Sequence, residues 1–123
     1  MMIRLWMLIA GLGGAASVIA GAAAAHLADD PAAANILRNG AMYGLIHATA
    51  LVAVIAFAQG REPRRGAAFL AGLFFSLGIV LFSLAQFLHV LTGKAQFGWA
   101  VPFGGTAFIL GWASLAILAF RRR

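Results

Sequence analysis

Charged residues cut the chain into four long uncharged stretches: between Arg4 and Asp29, Arg38 and Arg61, Arg65 and Lys94, and Lys94 and Arg121. Each exceeds the roughly 20 apolar residues that carry a helix across about 30 Å of hydrocarbon. In lipid only helices and closed barrels satisfy every backbone group, and these runs lack the polar/apolar alternation of barrel strands. The pattern predicts an all-α, polytopic membrane protein. It is a four-transmembrane-helix bundle, forming one domain over residues 1–123. The spans fall at about Leu5–Leu27, Ala41–Gln59, Ala67–Leu91 and Trp99–Phe120.

Turn signals separate the spans. Asp29-Asp30-Pro31 reads as a helix start, an acidic N-cap followed by proline in the first turn. Asn39-Gly40 reads as a stop, which makes Pro31–Arg38 a short helix lying at the interface. Arg61-Glu62-Pro63-Arg64-Arg65 is a tight charged turn. Thr92-Gly93-Lys94 ends the third span. Pro102-Phe103-Gly104-Gly105 starts the fourth span or interrupts its first turn.

Composition agrees with this division. The chain is 63% hydrophobic and 10% charged, against roughly 25% charged residues in a soluble domain. Its net charge of +6 does not point to nucleic acid, because the basic residues form short clusters at chain ends and loops. Seven of the nine, Arg4, Arg61, Arg64, Arg65 and Arg121 to Arg123, fall on one side, and only Arg38 and Lys94 on the other. The positive-inside rule therefore places both termini in the cytoplasm. The first span also resembles a secretory signal, since Ala22–Ala25 offers a small-residue cleavage site. Its apolar run is longer than the usual 7–15 residues of such a signal, so it is retained as a span. No cysteine is present, which excludes disulfides and thiolate chemistry.

Small residues supply candidate packing faces. Gly14, Ser17 and Gly21 share one face of the first span, and Gly72/Ser76 and Ala107/Gly111 recur in the third and fourth. Such spacing lets membrane helices approach closely, within the bundle or as a dimer face. Ser76, Ser83 and Gln86 form a weak polar stripe on the third span, read as interhelical hydrogen bonding.

Three histidines carry the candidate chemistry. His26, His47 and His89 all lie toward the outer side, with Tyr43 one turn before His47 and Gln86 close to His89. Three imidazoles at similar depth would suit zinc, copper or haem. The plainer reading makes His47 a buried hydrogen-bonder facing the interior with Tyr43, its partner at the end of the first span, near Ser83 and Gln86, or on the backbone freed by Pro102. No carboxylate lies inside a span, which argues against proton-coupled transport. Nucleotide loops and nucleophile–base pairs are missing, and the Gly11–Gly14 cluster lies within a span.

Several segments in order are similar to the YgdD-like family of small bacterial membrane proteins, domain of unknown function 423. They are Gly21 to Leu27, Tyr43 to Ala48, Leu81-Phe82-Ser83, Leu91-Thr92-Gly93, Pro102 to Gly105, and Gly111-Trp112. The resemblance implies a four-span protein of the bacterial inner membrane, and no reaction. It matches at His26, Tyr43, His47, Ser83, Pro102, Gly104 and Gly105. It departs at Leu84, Ala85 and Phe87, and His89 has no counterpart.

The expected role is that of a non-enzymatic membrane protein without a cofactor, acting by packing with lipid, with a homo-oligomeric copy or with a membrane protein partner. Histidine-based metal or haem binding and a small-solute or ion carrier are the alternatives.

Overall fold

A computed structural model describes residues 1–27, 29–59 and 65–120. Helix α1 spans Met2–Ala25 and α2 spans Pro31–Ala58. The third span begins as α3 (Arg65–Gly78), continues as π-helical turns over Ile79–Leu84, and closes as α4 (Ala85–Thr92). A short 3₁₀ turn, Ala95–Phe97, leads into α5 (Ala100–Ile117). No strand occurs among the described residues. The chain is thus an all-α membrane protein with four helices long and apolar enough to cross a bilayer.

The helix ends follow local chemistry. Asp30 caps α2 by accepting from the Ala33 amide at 3.0 Å, and Pro31 takes the first helical position. Gly93, at φ 66°, closes α4 in the left-handed conformation and donates its N–H to the His89 carbonyl, a geometry open to glycine without steric cost.

Two boundaries differ from the sequence reading, and a third agrees with it. First, α1 begins at Met2 rather than near Leu5. Second, α2 runs unbroken through Asn39-Gly40, so no separate interfacial helix exists over Pro31–Arg38. Gly40 is there for closeness, not for a turn: a Cβ on it would meet the Phe87 ring at 2.8 Å. Third, Pro102 is the third residue of α5, in the first turn where its missing N–H costs no intrahelical bond. Gly104 and Gly105 accordingly sit inside the helix. Of the charged turn over Arg61–Arg65, the first four residues lie outside the described residues.

The third span is the hub. Half of its most apolar window is buried within the bundle, against 28% for each of the first and fourth spans and 39% for the second. It contacts α1, α2 and α5, while α1 packs mainly on α2. Contact is closest where an aromatic ring meets a glycine. Phe75 lies against Gly111, Phe108 against Gly78, and Trp6 against Gly72. Gly104 touches the backbone of Leu81 and Phe82 directly. Outward, Leu12, Ile19 and Ile109 are each 69% exposed, as lipid-facing residues should be.

These contacts rank the glycines. A Cβ at Gly14 or Gly21 would meet only Ala48 or Ala41, each at an ordinary 3.7 Å. A Cβ at Gly104 would collide with backbone, which cannot swing aside. Gly104→Ala should therefore destabilise the bundle by about 1–3 kcal/mol through overpacking, and Gly14→Ala should stay within about 0.5 kcal/mol of the parent. Unfolding in mixed micelles by SDS titration measures both; equal effects would refute the ranking.

Candidate functional site

Helix pairs in this bundle are not equally close. Backbones meet between α1 and α2, α2 and α3, and α3 and α5, but α2 and α5 are not a closely packed pair. Side chains bridge that gap. His47 on α2, 4% exposed, lies flat on the Phe108 ring of α5 with centroids 3.6 Å apart and 12° between planes. The Trp112 indole N–H donates to His47 Nε2 at 3.0 Å. Accepting there, the imidazole carries its proton on Nδ1 and donates it to the Tyr43 carbonyl at 2.6 Å. His47 is thereby a neutral ring with both nitrogens engaged.

Beside this contact a lateral cleft of about 500 Å³ opens toward the lipid. Tyr43, Ile46, Phe82, Phe108 and Ile109 give it an apolar lining, which His47, Trp112, Asn39 and Gly105 complete. Tyr43 stacks near Phe108 at 6.3 Å and tilts against Phe82 at 5.0 Å. Its ring is 38% exposed, so it lines the cleft instead of entering the interior with His47.

Nearer the start of α2, at Gly40 and Gly44, three spans converge on small residues. The Ser83 hydroxyl, on the π-helical segment, donates to the Gly40 carbonyl at 2.8 Å. Ser17 on α1 donates to its own Gly13 carbonyl at 2.7 Å. Gly44 lies between the two serines, and a Cβ there would collide with the Ser17 hydroxyl and press on Ser83. Ser76 is buried near Gly72 on the third span, its hydroxyl without a partner.

The structure separates the three histidines. His26 caps the end of α1, exposed. His89 is half-buried and lines a separate groove with Asp30 and Gly93. No cluster of three metal-ligating side chains occurs among the described residues, and His47 has no free lone pair to offer. Its hydrogen-bond partners are none of those expected from sequence: not the end of α1, the Ser83/Gln86 region or the backbone before Pro102, but Trp112 and the Tyr43 carbonyl of its own helix. Gln86 of α4 is buried against α2 near Gly40, its amide nitrogen without a partner among the described residues. Sequence reasoning also missed Phe75, Phe108 and Gly44, since ring-into-glycine contacts join residues distant along the chain.

Removing one partner of the His47–Trp112 bond leaves a donor or acceptor without a mate. His47→Leu should cost about 1–3 kcal/mol. The double variant His47→Leu/Trp112→Phe should fall short of the summed single losses by about 0.5–2 kcal/mol. A double-mutant cycle by SDS unfolding reads this directly, and strict additivity would mean that the bond contributes nothing.

Comparison with known proteins gives one consistent answer. A family model described as a protein of unknown function, DUF423, matches residues 20–105. The UPF0382 membrane protein YwdK of Bacillus subtilis is 31% identical over 87 residues, 71% of this chain and 70% of that one. A UPF0382 membrane protein of Haemophilus influenzae is 30% identical across 96% of this chain and 95% of its own length. The UPF0382 inner membrane protein YgdD of Escherichia coli K12 is 27% identical over 96% of this chain and 91% of its own. No solved structure matches.

Proposed function

As this chain belongs to the DUF423 family of unknown function, its role must be argued from its own site, and we propose that it is a non-enzymatic membrane protein that holds the apolar chain of a lipid. The observation that carries this reading is the α2–α5 cleft. It is open at its side, walled by Tyr43, Ile46, Phe82, Phe108 and Ile109, and kept apart by a fully hydrogen-bonded His47. Concave, mostly apolar sites with few polar groups suit apolar ligands, and at this depth the neighbouring molecules are acyl chains. The non-enzymatic part rests on the site's chemistry. The only three carboxylates in the chain, Asp29, Asp30 and Glu62, lie outside the spans, and His47 has no nitrogen left for proton transfer.

Gly105 offers a way to close the cleft. It lines the opening, and a Cβ there would make only ordinary contact with the Phe82 ring, at 3.8 Å. Gly105→Leu should fill the cleft without disturbing the helices. Native mass spectrometry of protein released from nanodiscs should show bound lipid on the parent and markedly less on this variant. Equal lipid on both would remove the cleft from consideration.

Likeness to the E. coli inner membrane protein supports the bacterial inner membrane as its location. The bias of basic residues toward Arg4, Arg61, Arg64, Arg65 and Arg121 to Arg123 sets both termini in the cytoplasm. A reporter active only in the periplasm, fused after Arg123, should be silent; strong signal would invert the topology.

A further inference from the structure

A second groove lies beside the aromatic cleft and shares Asn39 with it. Its volume is about 540 Å³, and its lining is Asn35, Ile36, Arg38, Asn39 and Met42 of α2 with Gln86 of α4. Two observations set it apart from an ordinary helix furrow. Gln86 is 7% exposed and its amide nitrogen has no acceptor among the described residues. Such a donor in a membrane bundle is costly unless an acceptor reaches it. In the same lining, Arg38 is exposed, and its one side-chain hydrogen bond among the described residues is a long 3.4 Å one to the Asn35 side-chain amide oxygen. The nearest acid on this part of α2, Asp30, is turned to the Ala33 amide as a helix cap.

Depth fits a headgroup. Arg38 lies seven residues after Pro31 and Gln86 six before Thr92, so each is about 9–11 Å inside its helix end at 1.5 Å per residue. Helix α2, with 28 residues, is about 42 Å long and outreaches the roughly 30 Å of hydrocarbon. If the excess of about 12 Å lies at its start, where Asp30 caps it, its first turns stand among headgroups and Arg38 near the boundary.

We infer that the Arg38–Asn39–Gln86 groove binds the phosphate oxygens of an anionic phospholipid headgroup. Guanidinium and amide N–H groups supply donors only to an acceptor-rich group. The shared Asn39 brings that group next to the cleft where the same molecule's chain would lie. For the chain the inference rests on the lipid-holding reading above; for the headgroup it stands on Arg38 and Gln86 alone.

The test uses the full chain in nanodiscs of phosphatidylglycerol mixed equally with phosphatidylcholine, with bound lipid read by native mass spectrometry. The parent should favour phosphatidylglycerol by about fivefold, the factor expected for one arginine near anionic lipid. Arg38→Gln should bring that preference close to one while still carrying lipid, and Gln86→Leu, which removes a phosphate donor but no charge, should lower it only in part. Gln86→Glu, which keeps the side chain's size, should reverse it. Gly105→Leu should lower total lipid and leave the preference of what remains. Unchanged preference in all three headgroup variants overturns the inference and leaves the cleft intact. No lipid on any protein overturns both readings. Inorganic phosphate at about 10 mM, well above a millimolar Kd, should not compete; if it abolishes the preference, the groove takes free phosphate and the lipid assignment fails.

Discussion

The hydrocarbon interior of a bilayer offers no hydrogen-bond partner, and this chain is arranged around that fact. Backbone groups are met within helices. Six polar side chains are buried among the described residues; three turn to a carbonyl on their own helix, Ser17 to Gly13, Ser114 to Leu110 and His47 to Tyr43, while Ser76 and Gln86 each keep an unpartnered atom. Two reach farther. Ser83 bonds the Gly40 carbonyl and Trp112 bonds His47, so α2 is tied once to the third span and once to α5. Between apolar helices in lipid, association rests on close packing and on bonds such as these. The glycines complete the arrangement by giving Phe75, Phe108 and Trp6 a surface to lie on.

Much of this was legible in the sequence. Four uncharged stretches bounded by charges dictate four helices, because few other structures are permitted in lipid. Asp30-Pro31 and Gly93 act through neighbours three or four residues away, so their capping is local chemistry. Asn39-Gly40 shows where such reading breaks down. In water the pair favours a turn; here the Phe87 ring needs a residue without a Cβ at position 40, and α2 continues. Tertiary contact decided against local propensity. The His47–Trp112 bond was illegible for the same reason: nothing near position 47 names a residue 65 positions away.

The π-helical turn over Ile79–Leu84 had a signal that periodicity can explain. Buried residues of the third span recur at fours: Ala71, Phe75, Ile79, Ser83, Phe87. On an α-helix at 3.6 residues per turn, each step of four drifts about 40° around the axis. Four such steps would carry Phe87 well away from the face that holds Ala71. A wider turn, bonding i to i+5, absorbs part of the drift and keeps one side of the span directed inward.

That correction has consequences for the site. The turn holds Ser83, which bonds α2, and Phe82, which walls the cleft and whose backbone Gly104 touches. One segment thus sets the spacing of both neighbours. α5 is drawn against the third span at Gly104, Gly78 and Gly111, while α2 is held at Gly40 and Gly44. With each helix fixed to the hub, neither can close on the other, and the space between them is left for side chains and lipid. A straight α-helix through Ile79–Leu84 would turn Ser83 and Gln86 off the α2 face together. The aromatic cleft and the Arg38–Gln86 groove would then lose a wall at the same time. Their coexistence is a property of the hub, which is why substitutions there are expected to perturb both sites, whereas Gly105 and Arg38 can be changed separately.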